Sequence, residues 1–289
     1  MTLFFDCLNC NLNQAITILK QSSFSRNQQE EVIRELLTYL STADFELSNP
    51  ALMEGSYAII TKHMGEIDPY QESKEYYNQA LLSIYHQLDE KIINAKDSFS
   101  MALCMAIIGN LIDFNARHSF SLEILKERLI KDSLNLEIDH SQQLYNDLKK
   151  ANSLLYLGDN CGEIILDKLL IKQITREFSN LKIYYGVRGK PIVNDVTRND
   201  ASFVAMNEVA EVIDNGNGAL GTVLSLCNQS FKTVFYNADV VIAKGQGNFE
   251  GLYQEDKQSI YFCFMVKCDL MAEIVGANEG SIVCLRNKY

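Results

Sequence analysis

From about residue 152 onward, short apolar runs alternate with stretches of helical spacing, and this alternation limits the possible folds more than any other feature of the chain. The runs cover residues 154–157, 183–187, 209–213 and 240–243, with 260–266 and 282–285 as two further candidates. Runs this short, bounded by glycine and polar residues, read as strands. Their near-continuous apolar character fits strands covered on both faces. Strands that alternate with helices predict a mainly parallel, Rossmann-like α/β sheet with flanking helices.

Residues 11–150 carry a different period. Leu12, Ala15, Ile16 and Leu19 share one helical face, and Val32, Leu36 and Leu40 follow at four-residue spacing. Tyr76, Ala80, Leu81, Ile84 and Leu88 form another amphipathic stripe, and a break is expected at Asp68-Pro69. Residues 101–114 are almost wholly apolar, too short for the roughly 20 residues of a membrane span, and read as a buried central helix. The expectation is therefore an all-helical domain over residues 1–150 and an α/β domain over 151–289. The boundary is a change of period and not a linker, so the two parts should share an interface.

In a parallel sheet the loops after the strands open on one rim, where α/β folds bind ligands. The first run ends in Gly158-Asp159-Asn160, the second in Arg188-Gly189-Lys190 and on to Asn194-Asp195, the third in Asp214-Asn215-Gly216, and the fourth in Lys244-Gly245-Gln246-Gly247. Any one of these alone is an ordinary surface turn, since Gly, Asn and Asp are the usual turn residues. Four in a row collect carboxylates, amides, cations and glycines on one edge. Asp159 and Asn160 together offer two hard oxygen ligands suited to Mg²⁺ or Mn²⁺. The competing reading is that one of them caps the helix expected from Gly162 to Phe178. A metal with nearby cations and loop N–H groups is what phosphate chemistry needs. None of the loops is a Walker loop, and the glycine-rich dinucleotide pattern does not follow the first strand.

Composition narrows the partners. The 289 residues carry a net charge of −11, against a basic nucleic-acid surface, while an anionic small substrate is still compatible with a local metal. The start, Met1 to Asp6, lacks the basic region of a signal peptide, so a cytoplasmic location is expected. Most of the eight cysteines lie in apolar contexts and read as small buried hydrophobes. Cys7 and Cys10 form a C-x-x-C pair, which supplies two thiolates where a structural zinc site wants four ligands. Packing, metal binding and redox chemistry all stay open for that pair. None of the four histidines is assigned to the site.

Taken together, Gly158-Asp159-Asn160-Cys161-Gly162-Glu163, the segment from Arg188 to Thr197, and Lys244-Gly245-Gln246-Gly247-Asn248-Phe249-Glu250 resemble the signatures of the DUF89 family of metal-dependent damage-control phosphatases. The N-terminal Cys7/Cys10 pattern and the helix motif at residues 109–114 are similar to its short prokaryotic branch. The resemblance implies a divalent metal, Mg²⁺ or Mn²⁺ with Co²⁺ or Ni²⁺ as alternatives, held by Asp159, Asn160 and Asp195. It implies that Lys244 contacts phosphate and that Asp195 also orients the attacking water. It further implies substrate contacts from Arg188, Asn194, Asn110 and Asp113, and from N–H groups around Gly216.

The expected function is a metal-dependent phosphatase of small phosphorylated metabolites, sugar phosphates among them. Two other readings stand beside it: an S-adenosylmethionine-dependent carboxyl methyltransferase, and a non-catalytic protein that binds phosphorylated metabolites.

Overall fold

The structure, a computed structural model, describes residues 5–65, 68–111 and 135–288, together with Leu125, Glu127 and Leu129. Helices lead. They are α1 (Phe5–Gln21), α2 (Arg26–Ser41), α3 (Asn49–Met64), α4 (Gln71–Leu82), α5 (Tyr85–Ile93) and α6 (Ser98–Ile108). Their starts follow local chemistry. Ser25 caps α2 through a reciprocal capping box with Gln28, proline occupies the first turn of α3, and Asp97 accepts from the Ser100 N–H at 2.9 Å at the start of α6. The apolar helix expected at residues 101–114 is α6 as far as Ile108, buried along nearly its whole length and followed by a short 3-10 turn at Gly109–Leu111; residues 112–114 lie outside the described residues.

Among the described residues seven strands make one sheet: β1 (Ile138–Asp139), β2 (Ser153–Leu157), β3 (Lys182–Val187), β4 (Glu211–Asp214), β5 (Val240–Lys244), β6 (Ile260–Met265) and β7 (Ile282–Arg286). They lie in the order β1-β7-β6-β5-β2-β3-β4, and all pairings are parallel except β6 with β7. The expected α/β architecture is present. Two details differ from the sequence reading. The third strand is shifted to Glu211–Asp214 because residues 206–208 form a 3-10 turn, and β1 lies before the change of period, paired with β7. Two residues are too few for periodicity to register.

Side-chain alternation splits β2 and β5 between two cores. Leu154, Tyr156, Val240 and Ile242 face α6 and helix α8 (Glu163–Glu177), while Leu155, Leu157, Val241 and Ala243 face helices α10 (Gln229–Asn237) and α11 (Gly245–Leu252). The remaining helices among the described residues are α7 (Ser141–Leu148), α9 (Arg198–Phe203) and α12 (Asp269–Val275). A third core joins α1, α2 and α3 to Tyr70 and, from the sheet half, Ile192 and Val193. The chain leaves β2 toward β3 and β4, then returns to place β5 on the other side of β2. The strand order reverses there, and the crevice it creates lies at the carboxyl ends of β2 and β5.

Candidate active site

The loop after β2 opens into that crevice. Glycine is required at 158, since a Cβ there would lie 2.4 Å from the Tyr185 hydroxyl oxygen. The loop after β3 then runs back alongside it. The Cys161 N–H donates to the Asn194 carbonyl at 2.9 Å and the Val196 N–H to the Asp159 carbonyl at 2.8 Å. These bonds form an isolated antiparallel bridge between Asn160 and Asp195, so residues 35 positions apart in the chain become backbone neighbours. The buried side chains of Asp159 and Asp195 meet at one place as a result.

Arg188 lies beneath them, 1% exposed. Its Nε donates to Asp195 Oδ2 at 2.6 Å, and one terminal nitrogen donates to the Gly158 carbonyl at 3.3 Å and stands 3.9 Å from Asp159 Oδ1. Asp159 Oδ2 accepts from the Asn110 and Asn160 amides at 2.7 and 2.6 Å. Both amides also donate to Glu163 Oε2, at 3.1 and 3.0 Å. Asp195 Oδ1 is buried and has no hydrogen-bond partner among the described residues. Burial pushes the pKa of both aspartates up. For Asp159 the Asp195 and Glu163 charges push it further, and for Asp195 the Arg188 guanidinium pulls back only part of the rise.

The Lys244 ammonium is turned away from the cleft. Its Nζ is fully buried and donates to Glu163 Oε1 at 2.5 Å, Asp167 Oδ1 at 2.7 Å and the Ala106 carbonyl at 2.8 Å. All three ammonium protons are thereby used. Tyr156 and Tyr185 hydroxyls complete the cluster by donating to Asp167 at 2.6 and 3.0 Å. Lys244, expected to contact phosphate, does not line the cleft in this arrangement, and its charge holds two buried carboxylates together. Strand parity is the cause: Lys244 projects to the same face of β5 as Val240 and Ile242, where α6 and α8 pack.

Lys267, after β6, is the cation that lines the cleft among the described residues, and its charge lowers the Asp159 pKa. No sequence pattern marks it. The cleft has a volume of about 140 Å³, and its floor is Asp159, Asn160, Asn194 and Asp195. Gln14, Asn49 and Met53 close it from the helical half, and Gln246, Gly247 and Glu250 from α11. Neither Arg188 nor Gly216 reaches it. Gly216, at φ +83°, packs against Asn228 and against Gly189, where any side chain would strike the Gly216 backbone at 2.6 Å. Its loop braces the Arg188 loop, with the Gly189 N–H donating to Asn215 Oδ1 at 2.9 Å. Asn110 is buried behind Asp159, and Asp113 lies outside the described residues.

A divalent cation fits this chemistry. Asp159, Glu163, Asp167 and Asp195 are four buried carboxylates served by three buried cations: Lys244 and Arg188 in direct contact, and Lys74, which pairs with Asp68 and whose charge also acts on Asp195. An excess of buried negative charge is costly without a counter-ion. Asp159 and Asp195 with the Asn160 amide provide oxygen donors, and the partnerless Asp195 Oδ1 is a ready ligand atom. Among the described residues no group of three or more His, Cys, Asp or Glu side chains makes a metal centre by itself. The donor set here would be two carboxylates and an amide, completed by water or substrate, as Mg²⁺ commonly accepts.

The family model for the damage-control phosphatase ARMT1-like domain matches residues 3–283. A damage-control phosphatase of Pyrococcus horikoshii is 33% identical over 100% of this chain and 99% of that protein. An uncharacterised protein of Methanocaldococcus jannaschii is 34% identical over 97% of this chain and 94% of its own length. A damage-control phosphatase of Archaeoglobus fulgidus is 30% identical over 76% of each chain. The crystal structure of a DUF89 family protein from P. horikoshii superposes with a TM-score of 0.90 at 32% identity, covering all of both chains. With the family model over nearly the whole chain, these relatives and the shared fold in agreement, the chain belongs to the DUF89 family of ARMT1-like damage-control phosphatases.

Proposed function

We propose that the protein is a metal-dependent phosphomonoesterase of small phosphorylated metabolites. The observation that carries the reading is the pairing of Asp159 with Asp195 at the strand-order reversal, with an unpartnered carboxylate oxygen and an excess of buried negative charge. Asp159, Asp195 and Asn160 would hold the divalent ion, which supplies neutralisation of charge on the phosphoryl oxygens.

The protein's own groups account for the rest. Lys267 meets phosphoryl charge from the open side of the cleft. The first turn of α11 contributes Gln246 and Gly247 to the cleft wall, and a helix N-terminus favours an anion there. Arg188 fixes Asp195 through Oδ2 and leaves Oδ1 as the atom that would face the ion, a position from which Asp195 orients the attacking water. Gln14, Asn49, Asn194 and Gln246 line the cleft with amides, and no aromatic side chain joins them among the described residues. Such walls suit the hydroxyl groups of a polyol phosphate, such as a sugar phosphate, better than a nucleobase, which stacks on aromatic rings.

The test is phosphate release from a panel of phosphoesters with Mg²⁺, Mn²⁺, Co²⁺ or Ni²⁺ added after chelation. Activity should require metal and be lost in Asp159→Ala and Asp195→Ala. Equal turnover in chelator, or in both variants, refutes the reading. Ligand binding without turnover would favour a binding protein, and calorimetric binding of S-adenosylmethionine would favour a methyltransferase.

A further inference from the structure

All eight cysteines are free thiols, and five of them are buried. The three that are only half-buried are Cys7, Cys10 and Cys268. Two of these, Cys10 on α1 and Cys268 between β6 and α12, line the same cleft of about 140 Å³ as Asp159 and Asp195. They come from opposite walls, one from the helical half and one from the sheet. Neither thiol has a role in phosphate chemistry of the kind proposed above.

The surroundings of Cys268 fix its place at the mouth of the site. The Gln246 amide donates toward its sulfur at 3.9 Å and to Glu250 Oε1 at 2.9 Å. The same Gln246 accepts from the Lys267 N–H at 3.1 Å. Glu250 in turn accepts from Asn49 of α3 at 2.9 Å, so this short network already spans from the sheet to the helical half. The thiol of Cys268 is pushed up by burial and, among its neighbours, by the charges of Glu250 and Cys10. Both thiols border this one small cleft.

We infer that Cys10 and Cys268 are a redox latch whose disulfide ties α1 to the Lys267–Cys268 loop and closes the cleft. The inference rests on the cleft being the active site. Formation needs an oxidant, here a low-molecular-weight disulfide such as oxidised glutathione. The Cys10 thiolate attacks that disulfide and forms a mixed disulfide, expelling one thiolate. The Cys268 thiolate then attacks the Cys10 sulfur and expels the second. Two protein thiols lose two protons and two electrons, and the oxidant is reduced to two thiols. The first attack falls to Cys10 because the raised pKa of Cys268 leaves it little thiolate. Cys7, one helical turn before Cys10, offers a competing partner through the C-x-x-C pair.

The test uses the full chain, treated with oxidised glutathione at neutral pH and then digested without reduction. Mass mapping should find a Cys10–Cys268 cross-linked peptide, formed in Cys7→Ser and absent in Cys10→Ser and Cys268→Ser. Metal-dependent turnover, measured for each variant against its own reduced form, should be lost on oxidation and return with dithiothreitol in the parent and in Cys7→Ser. In the other two variants oxidation should leave turnover at the reduced level. A Cys7–Cys10 bond in place of the cross-link, no bond at all, or full turnover in the cross-linked protein overturns the inference. The peptide map does not depend on activity. A reduced protein that hydrolyses no phosphoester therefore counts against the phosphatase reading alone, while the mapped bond still supports the latch.

Discussion

Gly245 stands directly against Asp159: a Cβ added to it would lie 2.0 Å from Asp159 Oδ2 and 2.1 Å from the carboxyl carbon. Its φ of +79° is a second reason for glycine at the turn from β5 into α11. The contact exists because β2 and β5 are neighbours while their loops part in the chain, so the two strand ends share one crevice. Gly245→Ala must push the Asp159 carboxylate aside. A displacement of about 1 Å at a catalytic group costs on the order of 100-fold in rate. Metal-dependent turnover should fall by at least that factor while the fold survives. An alanine variant with parental turnover would show that Asp159 is not held in place by this contact.

Lys244 should matter to the fold more than to binding. Lys244→Met leaves Glu163 and Asp167 buried, 0% exposed, without their common cation. Removing one partner of a buried ion pair costs roughly 3–5 kcal/mol. Chemical denaturation should show a loss of that size. A stable Lys244→Met protein with normal folding and weakened phosphate binding would instead restore Lys244 as a phosphate contact.

Stability of the metal-free protein should fall as pH rises from about 4 to about 6, an interval set by the raised pKa of Asp167. Burial pushes that pKa from 3.8 up to about 6, against the pull of Lys244. A carboxyl whose pKa is raised by folding binds its proton more tightly in the native state, so its contribution is present below 3.8 and is lost as pH climbs through 6. Glu250, raised by burial, acts in the same direction. Groups with lowered pKa values, such as Asp239 with its backbone donors and Glu35 beside Lys62, act oppositely, and their contribution is lost as pH falls below the ordinary carboxylate range. A melting temperature in chelator that rises steadily from pH 4 to 7 would contradict this assignment.

Lys267→Ala should weaken substrate binding with little effect on folding, since Lys267 lines the cleft outside the main cores. Hydrogen bonds to charged groups contribute about 1.5–3 kcal/mol, which corresponds to roughly 10- to 100-fold in kcat/KM. The comparison to make is kcat/KM for a phosphoester substrate beside the melting temperature. Unaltered kinetics would remove Lys267 from the anion site.

Asn78→Leu tests how far the helical half positions the Asp159 loop. Asn78 on α4 is 1% exposed, and its Oδ1 accepts the Gly162 N–H at 2.6 Å, where Gly162 turns with φ +81° into α8. An orphaned buried donor costs about 1–3 kcal/mol. The variant should lose stability of that order and also bind Mn²⁺ more weakly, because Asn160 and Asp159 lie on the same turn. Unchanged Mn²⁺ titration would confine Asn78 to a folding role.

By itself the sequence determined the alternation of strand and helix, and with it the parallel sheet and the rim. Continuous apolar runs such as 154–157 can be satisfied only by burial on both faces, so their period survives any packing. Asp159 and Asn160 were legible because a strand end followed by acid and amide places those groups on the rim whatever else happens, whereas Asp195, eight positions beyond the end of β3, was singled out by the family resemblance. The direction of Lys244 was legible in principle from strand parity with Ile242, and from the four-residue spacing of Glu163 and Asp167 on the helix that covers that face. Only the tertiary structure decided that Lys244 is consumed by those acids, that Lys267 faces the cleft, and that Cys10 and Cys268 line that same cleft. These relationships join residues tens to hundreds of positions apart. They depend on how the helical half docks on the sheet, and local periodicity carries no information about that distance.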